Sequence, residues 1–190
     1  MSDDESLENH PEYLPWDREK KLTWSNFQGE IEDSEETLVR TYSSMHVDWI
    51  EEIFQSDDLY KFRIVNIEVT AIFGINKSWV KPLLFNESED QIRYKLNHEQ
   101  GHFDLCEEYT RRLRTEIMQF EGAVFECKGD DEETRKTYAH EEVEKILKTI
   151  YDPHAKTLGN LQKEYDLDTN HSYIPERQES WDRRFLALRE

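Results

Sequence analysis

Two histidines four residues apart, His98 and His102, project from one face of any helix that carries them and can bind one metal ion together. Glu99 follows the first histidine, which sets its carboxylate close to that metal without coordinating it. From there it can take a proton from a water and return it to a leaving group. Zinc would supply the other half of the chemistry, lowering the pKa of its water to about 7 and polarising a carbonyl. The run His98-Glu99-Gln100-Gly101-His102 therefore predicts zinc-assisted hydrolysis with one zinc per chain. Gly101 costs a helix about 1 kcal/mol relative to alanine. Its missing side chain would let a neighbour approach closely.

A catalytic zinc needs a third protein ligand and an open position. The residues leave four candidates open. His171 lies in the polar stretch 165–172, which can fold back over the motif helix. Glu141 and Glu142 would supply a carboxylate from a downstream helix, and His154 follows a proline within reach. Glu107 and Glu108 sit on the motif helix at angles that point them away. Cys106 is in line with both histidines one turn further on, which suits packing. His10, His46 and His140 read as ordinary surface or strand histidines.

The elements that must position these residues follow from periodicity. Residues 22–29 make a short aromatic-rich unit ending at Gly29. Residues 37–54 are rich in β-branched and aromatic side chains and read as strand, with 49–54 as a possible helix start. The clearest strand is 60–73. Its apolar residues alternate up to Ile64 and again through Ile67, Val69 and Ala71, and the slip near Val65 predicts a bulge. Ser78-Trp79-Val80 reads as a further short strand. Ser88 is an N-cap, with Glu89 and Asp90 suiting the helix dipole. Ile92, Leu96, Phe103, Cys106, Leu113, Ile117 and Phe120 then recur at helical spacing, predicting one long helix to about residue 120. A loop at 128–131 leads to a second helix over 132–150. Asp152-Pro153 should break it, leaving a third helix over 155–165, a loop over 166–175 and a closing helix over 177–189. A strand-rich front followed by helices is an α+β arrangement.

The 190 residues suit one domain, 21–190, behind a loosely ordered acidic lead-in, 1–20. With 43 acidic against 24 basic residues the net charge is −19, which disfavours nucleic acid as a partner. Arg111, Arg112 and Arg114 read as a solvated helix face rather than a basic patch. No stretch reaches the roughly 18 apolar residues of a membrane span. Two cysteines make no disulfide framework, and the acidic N-terminus is not a signal peptide as written. The sequence as it stands suits the cytoplasm, or the periplasm or exterior if a signal peptide has been removed.

Separated residues in this order also resemble a bacterial family regarded as zinc-dependent proteases and long catalogued as a domain of unknown function. The resemblance runs over most of the chain. It includes Trp24-x-x-Phe27-x-Gly29, Ser78-Trp79-Val80, His98-Glu99-Gln100-Gly101-His102-Phe103-Asp104 with Glu107, Tyr109 and Arg111-Arg112-Leu113. It ends with Gln162-x-x-Tyr165-Asp166-x-x-Thr169-x-His171 and Gln178-x-x-Trp181. It implies a zincin-like fold, a small sheet packed on the motif helix, and favours His171 as third ligand. It departs from the family at Ser172, where the family usually carries glycine. On this reading His98, His102 and His171 hold zinc and Glu99 activates water, while Tyr165, close to His171 in sequence, either donates to the oxyanion or packs in the core. Asp166, or else Asp104 or Asp168, accepts the free N–H of a ligating histidine. The substrate is a peptide or protein. The alternative is a zinc-stabilised binding domain without catalysis.

Overall fold

The computed structural model describes residues 11–32 and 37–190, so His10 and the first half of the expected lead-in lie outside the described residues. The elements are α+β. Strands β1 (Tyr13–Pro15), β2 (Val39–Arg40), β3 (Ser43–Ser56), β4 (Leu59–Gly74) and β5 (Trp79–Val80) precede helix α1 (Glu89–Ile117). Strand β6 (Val124–Glu126), helix α2 (Glu132–Thr169) and helix α3 (Pro175–Leu186) follow. One sheet has the order β1-β4-β3 with β6 also on β4, and β2 pairs with β5 in a second, two-stranded sheet. The chain divides into two compact units. The first comprises 1–46, 70–109 and 158–190, and the second 47–69 and 110–157.

In the first unit the motif helix is built as its sequence demands. Ser88 Oγ accepts from Gln91 N while Gln91 Oε1 accepts from Ser88 N, a reciprocal capping box that fixes where α1 begins. Phe103, Leu105, Cys106 and Tyr109 on its inner face are buried. Phe73 of β4 packs on Phe103 at 5.8 Å and on Phe27 at 5.2 Å, so the aromatic front of the chain seats on the helix that carries the motif. Gly29 is required there: a Cβ would lie 2.9 Å from the carbonyl oxygens of Asn76 and Ser78. Within the expected lead-in, β1 is antiparallel to β4 and Trp16 Nε1 donates to Asp104 at 2.7 Å.

In the second unit the apolar phase of β4 shifts as expected. Phe62 and Ile64 are buried, then Ile67 and Val69, and the shift falls at Asn66, whose φ is 53°. The backbone N–H groups of Asn66 and Ile67 donate to the Glu121 carboxylate at 3.0 Å each, which gives both donors a partner where the phase changes. Residues 49–54 belong to strand β3 and not to a helix. β3 turns into β4 at Asp57 and Asp58, both with positive φ (55° and 64°), the twist that tight hairpins require. Arg114 is not merely solvated: its guanidinium donates to the Val69 carbonyl.

Two helical expectations need correction. Pro153 does not break the second helix, because α2 runs unbroken through it from Glu132 to Thr169. A proline removes one helical N–H bond, at a cost of about 3 kcal/mol. Buried side chains on both flanks, Val143 and Leu147 before it and Leu158 and Tyr165 after it, keep both halves helical. The expected loop over 166–175 is accordingly shorter: Asp166 and Asp168 are helical, and only 170–174 lies between α2 and α3.

Candidate metal centre

The first unit brings His98, His102, Asp166 and His171 together. On α1 the rings of His98 and His102 point the same way, with their Nε2 atoms 3.2 Å apart. Asp166, in the last turn of α2, sets Oδ1 at 3.0 Å from His98 Nε2 and 2.9 Å from His102 Nε2. His171 Nδ1 is 3.4 Å from the same oxygen. Ligand atoms of His98, Asp166 and His171 all lie within 4.8 Å of one another, a group that could hold a metal ion. His102 Nε2 is nearer to Asp166 Oδ1 than His171 Nδ1 is. Two nitrogens at 2.0–2.1 Å from a tetrahedral zinc are about 3.3 Å apart, so the His98–His102 separation of 3.2 Å fits one ion.

The far side of each α1 histidine fixes which nitrogen carries the proton. Gln162 donates through Nε2 to the His102 carbonyl at 2.9 Å, which leaves its Oε1 to accept from His102 Nδ1. Gln178 donates through Nε2 to Tyr165 Oη at 2.7 Å and to Asp182 at 2.8 Å, so its Oε1 accepts from His98 Nδ1 at 3.2 Å. Both rings therefore carry the proton on Nδ1 and turn an Nε2 lone pair toward Asp166. Two lone pairs and a carboxylate oxygen at about 3 Å repel unless a cation lies among them. A proton serves in the metal-free protein. Burial opposes charging His102, but the hydrogen bond to Asp166 and the negative charge of Glu99 outweigh it, and its pKa is raised. Burial pushes the Asp166 carboxyl up, yet its contacts with His102 and His98 hold it well below the usual carboxylate range.

Tyr165 forms the floor. Its ring stacks on His98 at 4.5 Å and 16°, and it is fully buried. Its hydroxyl donates to the His98 carbonyl at 3.2 Å, directly over Gly101, where a Cβ would overlap it. The neighbour that Gly101 admits is thus Tyr165. Of the two roles the sequence offers for Tyr165, oxyanion donor or core packing, the geometry is that of packing: the hydroxyl is spent on the helix backbone, and burial pushes its pKa up. Asp104 accepts from Trp16, Gln100 (2.9 Å) and Arg189 (2.6 Å) rather than, among the described residues, from His98 or His102. Burial nonetheless pushes its carboxyl above the usual range.

The other candidates for a third ligand lie in the second unit. Glu142 pairs with Lys145 at 2.8 Å, Glu141 is exposed, and His154 pairs with Glu116 at 3.1 Å. His140 stacks on Trp49 and bonds Glu51 at 2.9 Å, so it is not a bare surface histidine. Asp166 was expected only to accept an N–H, but it faces the ligand nitrogens themselves. The glutamines were missed. They stand in the resemblance, and Gln162 is four residues before Asp166 on one helix face, yet neutral amides carry no chemical signal of their own.

A cavity of about 420 Å³ opens over the centre, walled by the segment 37–43 and floored by His98, Glu99, His102, Asp166 and His171. Exposure rises across the cluster, from 3% for the His98 side chain to 66% for that of His171, so access is from the His171 side. Glu99 is 8% exposed, lines this cavity, and has no hydrogen-bond partner among the described residues. His171 itself stands in a strained turn. Asn170, His171 and Ser172 have φ of 46°, 50° and 78°, each costing roughly 1 kcal/mol or more. No family model, curated protein or solved structure matches the chain. Among the described residues no helix is long and apolar enough to cross a membrane.

Proposed function

We propose that this chain is a zinc-dependent hydrolase, a metallopeptidase of zincin-like fold acting on peptide or protein substrates, with one zinc held by His98, His102 and His171. The observation that carries the reading is Glu99. It is a nearly buried carboxylate without a hydrogen-bonding partner among the described residues, one position from His98, in the wall of an open cavity. Such a group is placed to move protons. Zinc bound beside it would lower the pKa of a water to about 7 and polarise a carbonyl. Glu99 then accepts the proton of the attacking water and delivers it to the departing amine. Gln162 and Gln178 hold His102 and His98 with their Nε2 lone pairs toward the centre. Tyr165 holds the helix backbone at His98 beneath them.

One observation favours a second reading. Asp166 Oδ1 is as close to the α1 histidines as a fourth ligand would be, and four protein ligands characterise structural zinc sites. That describes a zinc-stabilised binding domain. Glu99→Gln separates the two: as a hydrolase the variant keeps zinc and loses peptide hydrolysis by at least a hundredfold. A variant as active as wild type on a peptide-library substrate would remove Glu99 from the chemistry. Loss of zinc together with activity would make Glu99 a ligand rather than a base.

A further inference from the structure

We propose that Lys95 and Tyr173 form a latch that sets His171 against the motif helix, so that both are positioning residues for the centre. The inference rests on His171 being a metal ligand. Lys95 lies three and four residues before His98 and Glu99, on the same face of α1. Its Nζ donates to Tyr173 Oη at 3.0 Å and stands 4.6 Å from the centre of the Tyr173 ring. Tyr173 is two residues beyond His171, at the end of the left-handed run 170–172.

The turn's backbone bonds are local. His171 N donates to Asp166 O, Tyr173 N to Asn170 O and Ile174 N to Thr169 O, at 3.0, 3.1 and 3.0 Å. They give the turn its shape and tie it to the end of α2 and to itself, and Ile174 O, which accepts from Arg177 N and Gln178 N, ties it to the first turn of α3; none of these bonds reaches α1. His171 is mostly exposed, so packing holds it little. Lys95 joins the turn to the helix that carries the other two histidines. It is itself held: its side chain is 11% exposed and lies 3.6 Å from Glu87 Oε1. The other Glu87 oxygen is buried with no hydrogen-bond partner, so this carboxylate serves Lys95. Charge, hydrogen bond and ring contact together orient the strained arm. Without them the arm samples positions in which His171 Nδ1 leaves the cluster, and the affinity for the ion falls by the fraction of time it is away.

The test is a zinc titration against a chromophoric chelator on the full chain, for wild type, Lys95→Met, Tyr173→Phe, His171→Ala and Lys95→Met with His171→Ala. Lys95→Met should weaken zinc about tenfold, the low end for residues that orient ligands. Tyr173→Phe keeps the ring contact and should weaken it by only about threefold. In the His171→Ala background Lys95→Met should have no further effect, because its role passes through His171. The melting temperature of the metal-free proteins shows that each variant folds. Wild-type affinity in Lys95→Met, with clear loss in His171→Ala, overturns the latch and leaves the centre intact. Equal weakening by Lys95→Met in both backgrounds overturns it too, since Lys95 would then act on the helix alone. No effect of His171→Ala, or no zinc binding by wild type, overturns the ligand assignment and the latch with it.

Discussion

Gln162 grips His102 twice, accepting from its Nδ1 and donating to its carbonyl, and Gln162→Met removes both bonds while keeping the side chain's length. The metal-free protein has a way to recover. The proton moves from Nδ1 to Nε2, where it points at Asp166 Oδ1, 2.9 Å away. Zinc binding must undo that exchange and leave Nδ1–H without its acceptor on a ring that is only 13% exposed. An unpaired buried donor costs about 1–3 kcal/mol. The expected loss of zinc affinity is therefore about tenfold to a hundredfold, the range found for partners that orient ligating histidines. Gln162→Glu keeps an acceptor for Nδ1–H, and a charged one, so it should retain more affinity than Gln162→Met. Competition titration with a chromophoric chelator at fixed pH reads both. If Gln162→Met binds zinc as tightly as wild type, the glutamine does not set the tautomer and the reasoning from its two bonds is wrong.

Gly101→Ala should gain about 1 kcal/mol from helix propensity alone. Because its Cβ would meet the Tyr165 ring and Phe185, a net loss of about 1–3 kcal/mol is expected in urea denaturation. A net gain would mean that Tyr165 is not wedged there. Ser172→Gly should raise stability by about 1 kcal/mol by relieving its φ of 78°, and an unchanged or lower denaturation midpoint would count against the strained turn. The pH dependence differs with and without metal. The raised pKa of His102 stabilises the metal-free protein fully below the ordinary imidazole value of about 6.5 and less as pH rises above it. The depressed pKa of Asp166 adds stability that disappears as pH falls through and below the usual carboxylate range. Zinc competes with the His102 proton, so its affinity should rise with pH through that same upper interval. Melting curves with and without zinc between pH 5 and 9, pH values chosen to bracket the imidazole range, should diverge as pH rises; parallel curves would contradict this.

The motif helix was readable because its signals agree: a capping box at Ser88, an apolar stripe and a chemical motif all specify one element. The change of phase in β4 was readable because burial on one face sets which residues are apolar. Pro153 misled because a breaker signal is local, whereas the packing on either side of it is not visible in a short window. The same error moved Asp166 from helix to loop and hid its approach to the histidine nitrogens. Tyr165 was placed near the metal by its neighbourhood in sequence. Which way its hydroxyl points depends on Gly101, 64 positions away. Gln162 and Gln178 could not be recognised from type, since a glutamine becomes informative only when its two ends are seen to be engaged. The Asp57-Asp58 hairpin carries no glycine to announce it.

The most direct measurement is zinc per chain by elemental analysis, on wild type and on His98→Ala with His102→Ala, each purified after exposure to zinc. The expected result is one zinc per wild-type chain and none in the double variant, with X-ray absorption showing nitrogen and oxygen ligands and no sulfur. Wild type without zinc, or a double variant that holds as much as wild type, would contradict a metal centre at His98, His102, Asp166 and His171.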